Sequence, residues 1–211
     1  MRPRVLLADD HRLLLDAFKT LLAPDYHVVG TVTDGYALLE KAQDLKPDVV
    51  VADVSMPLLN GLDAGAQLKR IFPRVKLVYL TVNEDPNMAA EAFAAGASGY
   101  VLKRSASSEL FHAIQEVLQG RSYVSPLLAG DMDPASGRES DRRLASTELS
   151  ARQRQVLQLL AEGRSMKEAA RILKVTPRTV AFHKYRMMEE LNLKNSAELI
   201  QYAIKNQMVS P

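Results

Sequence analysis

The chain predicts a doubly wound α/β domain with a five-stranded parallel sheet, followed by a small all-α helix-turn-helix domain. Three observations carry this. Over residues 4–119, short β-branched or apolar runs alternate with amphipathic helical stretches, the pattern of successive βα units. The third run, Val49-Val50-Val51-Ala52, is apolar throughout, as a strand covered on both faces must be. Beyond Leu149 the periodicity is helical alone.

The elements follow in order. Strands are expected near 4–8, 27–32, 48–53, 75–81 and 99–102, and helices near 11–22, 35–45, 60–71, 86–95 and 107–119. Asp34 is placed to cap the second helix, and Pro47 and Pro73 punctuate helix ends. Residues 129–147 are rich in Gly, Pro, Ser and charge and read as a linker. Ser150 and Gln153 form a capping-box pair before Val156-Leu157-Gln158-Leu159-Leu160, and Gly163 stops that helix. A short helix near 166–172 follows. Thr176 then caps a third, with Pro177 at its first position. Lys194-Asn195-Ser196 breaks to a last helix over 197–206. The organisation is therefore a first domain over 1–125, a linker over 126–147 and a helix-turn-helix domain over 148–211.

Composition narrows the function classes. With no cysteine among 211 residues, disulfides, thiolate zinc sites and cysteine nucleophiles are excluded. No apolar run is long enough to span a bilayer, so a cytoplasmic protein is expected. The net charge of +2 hides an asymmetry: residues 1–125 hold 13 basic and 15 acidic side chains, whereas residues 148–211 hold 11 and 6. A basic C-terminal piece points to a polyanionic partner.

Asp9-Asp10, Asp53, Thr81 and Lys103 each fall at the C-terminal end of an expected strand. In an open parallel sheet those ends line one crevice, where ligands bind. An aspartate there can act as a nucleophile and accept a phosphoryl group. Carboxylates flanking it suit Mg²⁺, which takes one or two carboxylates and keeps room for phosphate oxygens and water. Lys103 offers a point charge to a phosphoryl oxygen, and Thr81 a hydroxyl.

Asp9-Asp10-His11, Asp53 with Ser55-Met56-Pro57 and Asn60-Gly61, Leu80-Thr81, Ala95-Gly96-Ala97 and Gly99-Tyr100-Val101-Leu102-Lys103 together resemble the CheY-like receiver domain of bacterial two-component response regulators, over about residues 3–125. The resemblance implies Asp53 as phosphoacceptor and Mg²⁺ held by Asp9, Asp10, Asp53 and the backbone carbonyl of Ser55. It implies phosphoryl contacts from Thr81 and Lys103, and Thr81 with Tyr100 as the switch pair. Val82 departs from the pattern, which keeps a small residue after the threonine. A β-branched side chain there would narrow the approach to Asp53 or hinder the switch. Pro86 at the start of the fourth helix is a second departure.

On the helix opened by Thr176, a step of 100° per residue puts Val180, Met187 and Leu191 on one face and Arg178, Phe182 and Tyr185 on the other. Aromatics and an arginine on an outer stripe mark a contact surface, which in a helix-turn-helix enters the DNA major groove. Arg178 suits guanine and Phe182 a thymine methyl. His183, Lys184 and Arg186 flank the stripe within reach of phosphates. The run Leu149-Ser150-Ala151-Arg152-Gln153-Arg154-Gln155-Val156-Leu157, with Leu160-Ala161-Glu162-Gly163, Lys167-Glu168-Ala169-Ala170, Thr179-Val180, Glu190-Leu191 and Ala197-Glu198-Leu199, resembles the LuxR-type helix-turn-helix. A receiver followed by this domain is the NarL/FixJ type of response regulator. The resemblance adds Lys167, Thr176, Thr179 and Ala181 to the DNA contacts, and Leu199, Ile200, Ala203 and Ile204 to a dimer surface on the last helix, the alternative for each of these four being that it only closes the small core.

The expectation is a transcriptional regulator rather than an enzyme. Phosphorylation of Asp53 by a partner histidine kinase would switch its binding to promoter DNA, with a homodimer as the active form. The competing expectation is a phospho-independent DNA-binding regulator whose receiver serves as a dimerisation scaffold. A phosphatase of the haloacid dehalogenase type needs an acid two residues after its nucleophile, where Ser55 stands.

Overall fold

The computed structural model describes residues 2–129, 149–206 and 208–209. Contacts divide the chain into two compact units, 1–139 and 140–211. Most of the expected linker, residues 130–147, lies outside the described residues.

In the first unit five βα repeats run in order: β1 (Arg4–Ala8), α1 (Arg12–Leu22), β2 (His27–Val32), α2 (Gly35–Leu45), β3 (Val49–Asp53), α3 (Gly61–Ile71), β4 (Lys76–Thr81), α4 (Pro86–Ala94), β5 (Gly99–Leu102) and α5 (Ala106–Leu118). The strands stand in the order β2-β1-β3-β4-β5 and all pair in parallel. Successive residues of a strand face opposite sides, and the core divides accordingly. Leu6, Val50 and Ala52 belong to one apolar cluster with Leu38, Leu68 and Ala89 from α2, α3 and α4. Val5, Leu7, Val49 and Val51 belong to the other, with Leu15 and Phe18 of α1 and Leu110 and Ile114 of α5. All five residues of β3 are buried, as its unbroken apolar run requires.

The sheet has one strand more than the five expected. Residues Tyr123–Val124 form β6, which pairs in parallel with the outer edge of β5. A turn of helix, α6 (Pro126–Ala129), follows. Two residues are too few to show a periodicity in sequence, so the strand is set by the open edge of β5 rather than by its own pattern. The first four residues of the expected linker are thus structured.

Among the described residues the second unit holds four helices: α7 (Ala151–Ala161), α8 (Met166–Ile172), α9 (Pro177–Glu190) and α10 (Ser196–Lys205). Each starts on a side-chain cap. Ser150 with Gln153 and Ser165 with Glu168 form reciprocal capping boxes, while Thr176 and Asn195 accept from the backbone N–H three residues on. Gly163, Lys174 and Asn192 leave the helices in the left-handed region. The core gathers Val156, Leu157, Leu159, Ala169, Val180 and Met187, all fully buried.

Candidate functional site

The ladder registers bring the site together. Asp53 pairs with Leu80, so Thr81 lies one residue beyond it on β4, and Thr81 pairs with Leu102, so Lys103 follows on β5. The Lys103 ammonium stands 2.8 Å from Asp9 Oδ2 and 3.0 Å from Asp53 Oδ2, bridging the two carboxylates. Asp9 and Asp53 are almost wholly buried, at 1 % and 3 % exposure, while Asp10 is open to solvent. Burial pushes the Asp53 carboxyl above the ordinary range. Lys103 pulls it down, and the Asp9 charge adds to the rise. Burial draws Lys103 down, but its pairing with Asp53 and Asp9 prevails and holds it above the usual lysine value.

The loop after Asp53 is equally constrained. A Cβ on Gly61 would lie 2.0 Å from the Asp53 carbonyl oxygen, so only glycine fits where α3 begins. Asn60 caps that helix by accepting from the Asp63 N–H at 2.8 Å, and the Gly61 N–H donates to Val54 O at 2.8 Å. Thr81 is buried and its Oγ1 accepts the Asn83 N–H at 3.0 Å. Tyr100 is fully buried; burial pushes its phenol up to about 12, against the pull of the neighbouring Thr81 hydroxyl. Val82 stands largely in solvent. Its side chain is 77 % exposed, at the residue directly after the buried Thr81.

In the second unit α9 divides as the helical wheel requires. Val180 and Met187 are fully buried, whereas Arg178, Phe182 (57 %) and Tyr185 (61 %) face solvent. Phe182 meets His183 edge-on at 5.5 Å, and Lys184 stands over the Tyr185 ring at 5.6 Å. Burial lowers His183, with Arg152 and Arg186 adding to the effect, so its imidazole is biased toward the neutral form. The Arg186 guanidinium is held by Glu190 at 2.8 Å. Thr176 spends its hydroxyl on capping α9 and on Thr179 Oγ1 at 2.9 Å. Lys167 is exposed in the first turn of α8, and Ala181 is half-buried. On α10, Leu199 and Ala203 are buried in the unit's own core. That removes them from the expected dimer surface and leaves Ile200, half-buried, and Ile204, 41 % exposed.

Comparison with known proteins meets this geometry at both ends. Residues 5–115 match the response regulator receiver domain, and residues 147–203 match the luxR family of bacterial regulatory proteins. The chain is 33 % identical to the oxygen regulatory protein NreC of Staphylococcus epidermidis, over 98 % of this chain and 99 % of that one. It is 34 % identical to NreC of Staphylococcus aureus over the same shares. The chain belongs to the response regulators. Among solved structures, RcsB of Salmonella typhimurium is similar with a TM-score of 0.65 at 28 % identity, covering 95 % of this chain and 96 % of that one. A LuxR-family response regulator from Aurantimonas matches 66 % of this chain and 99 % of its own, with a TM-score of 0.61 at 31 % identity. RcsB in complex with DNA gives 0.57 at 26 %, over 96 % and 98 %. This response regulator is therefore of the NarL/FixJ type, a DNA-binding regulator of transcription.

The donor set of the receiver fits Mg²⁺. It offers hard carboxylate oxygens, two from buried residues and one from exposed Asp10, with open solvent beside it. Donor atoms of Asp9, Asp10 and His11 lie within 4.8 Å of one another. The imidazole was not assigned a role from sequence. Its Nδ1 lies 2.8 Å from Asp10 Oδ1 and 3.2 Å from Asp9 Oδ1, so it orients both carboxylates. A histidine directly after paired aspartates was the signal available for it. Among the described residues no helix is long and apolar enough to cross a membrane.

Proposed function

We propose that this response regulator is a cytoplasmic, phosphorylation-switched DNA-binding protein. A partner histidine kinase supplies the phosphoryl group, Asp53 accepts it, and the helix-turn-helix unit then binds promoter DNA as a homodimer. The observation that carries the reading is the Lys103 ammonium shared between the buried Asp9 and Asp53 carboxylates. The Asp53 oxygen attacks phosphorus, the phosphorus–nitrogen bond of the kinase's phosphohistidine breaks, and the imidazole leaves with that electron pair. Mg²⁺, when bound, neutralises charge on the transferring oxygens. The chain's residues do the rest. Asp9, Asp10, Asp53 and the Ser55 carbonyl would hold the cation, and Lys103 turns from carboxylate to phosphoryl oxygen. The buried Thr81 hydroxyl offers a further contact, and the buried Tyr100 packs against the same site, a pair suited to bias a pre-existing equilibrium.

DNA-bound relatives support the output half of this reading, including RcsB bound to a promoter in the presence of a phosphomimetic. Arg178, Phe182, Tyr185 and Lys184 form the reading face, Lys167 adds a phosphate contact, and Ile200 with Ile204 forms the contact between copies. Relatives named for oxygen regulation make oxygen the first signal to test.

The test is Mg²⁺-dependent labelling of the full chain by acetyl phosphate, with duplexes selected from a randomised pool as DNA probe. Labelling should vanish in Asp53→Asn together with the gain in DNA affinity. A gain that survives the substitution would overturn the switch.

A further inference from the structure

Where the chain leaves the receiver, it is bonded to the strand that carries the switch. The Ser125 side chain is fully buried. Its N–H donates to Tyr100 O at 3.0 Å, and its Oγ accepts the Leu102 N–H at 2.9 Å. The same hydroxyl donates to Glu109 on α5. Ser125 is thus fixed to β5 on either side of Val101 and anchored to the helix behind it. Before it, β6 pairs Tyr123 with Gly99 and Val124 with Tyr100. After it, Leu128 of α6 is buried at 1 % exposure in the same apolar cluster as Tyr100 and Leu102. Closing a sheet edge needs only the backbone ladder. It does not need a buried hydroxyl bonded to the residue immediately before Lys103.

We propose that residues 123–128 form a latch that holds the start of the interdomain segment to β5, and that phosphorylation of Asp53 loosens it. The proposal rests on the phosphoryl switch set out above. At rest, Lys103 is held between Asp9 and Asp53. A phosphoryl group on Asp53 adds negative charge beyond the carboxylate and draws the ammonium outward. The Lys103 backbone follows and pulls on Leu102, whose N–H, one peptide back, donates to the Ser125 hydroxyl oxygen. One residue therefore separates the charge that moves from the bond that holds the latch. Loosening releases Leu128 from beside Tyr100 and hands residues 123–129 to the segment joining the two units.

The experiment is amide hydrogen exchange on the full chain, with and without Mg²⁺ and beryllofluoride, with ¹⁹F NMR reporting bound fluoride. Exchange at Tyr123, Ser125 and Leu128 should quicken at least fivefold when the bound-fluoride signal is present. Ser125→Ala should show that faster exchange without fluoride and still bind it. Glu109→Ala, which keeps the hydroxyl on Leu102 but removes its anchor, should fall between. Ser108→Ala, an exposed hydroxyl on the same helix, should match the parent. A bound-fluoride signal with unchanged or slower exchange over 123–128 overturns the latch alone. Absence of any bound-fluoride signal in the parent overturns the phosphoryl switch, and the latch with it.

Discussion

Replacing Asp53 by asparagine should stabilise the receiver while abolishing its chemistry. The two carboxylate oxygens on Lys103 lie less than about 6 Å apart, since each is within 3.0 Å of the same nitrogen. Burial strips Asp53 of hydration, which is the largest cost, and the Asp9 charge adds repulsion. Lys103 offsets part of this, yet the carboxyl stays above its ordinary value of 3.8, so the charge is a net cost to the fold. Each pH unit of such a rise corresponds to about 1.4 kcal/mol. Asp53→Asn keeps the shape, leaves Lys103 paired with Asp9, and should gain on the order of 1 kcal/mol, or about 3–6 °C in the receiver's melting transition. The sign with pH follows. A raised folded-state value makes the protonated form the favoured one, so the cost is absent below the unfolded value near 3.8. It grows as pH rises from there and is complete above the raised value. The gap between variant and parent should therefore widen from pH 4 upward and then level off. Mg²⁺ should narrow it, because the cation stabilises the parent in proportion to its binding. Calorimetry of both proteins, with and without Mg²⁺, measures this. A variant less stable than the parent at neutral pH, or a gap indifferent to pH, would refute the charge argument.

Four further outcomes follow from the same structure. Acetyl phosphate labelling needs the Asp53 carboxylate, so its rate should fall with decreasing pH at values above the ordinary aspartate range, as a pH–rate profile would show. Gly61→Ala forces the Asp53 peptide aside, and should cost about 1–3 kcal/mol in denaturant unfolding while slowing labelling. Met187→Ala opens the core of the second unit and should cost about 2–5 kcal/mol there, read by its thermal transition. Arg178→Ala should lose about 1–3 kcal/mol of preference for the selected duplex, whereas Lys167→Ala should weaken binding to all sequences and reduce the salt slope by about one; fluorescence anisotropy across a salt series separates the two.

Much of this was legible in the sequence because it is written locally. Strand ends marked by Asp9, Asp53, Thr81 and Lys103 locate one crevice whatever the loops do, and the wheel on α9 separated Val180 and Met187 from Phe182 and Tyr185. What stayed hidden depended on partners distant in the chain. That Lys103 spans both carboxylates follows from the β3–β4–β5 register, which no single run reveals. Leu199 and Ala203 lie one turn apart, as do Ile200 and Ile204, so spacing alone could not say which pair meets the core. The Ser165–Glu168 capping box and the Arg186–Glu190 pair were local and readable from their spacing. β6 was not readable, since its two residues take their form from the edge they cover.

The side-chain caps on the four C-terminal helices bear on how quickly the two halves acquire structure. Each helix there is started by a residue within three positions of its own first turn, so its nucleation waits for no distant segment. The parallel sheet must instead join β1 to β3 across more than forty residues, and loop closure on that scale slows folding. The slow half is also the first to be synthesised. It can therefore assemble its sheet while the quick-folding helices that follow it in the chain are still being made.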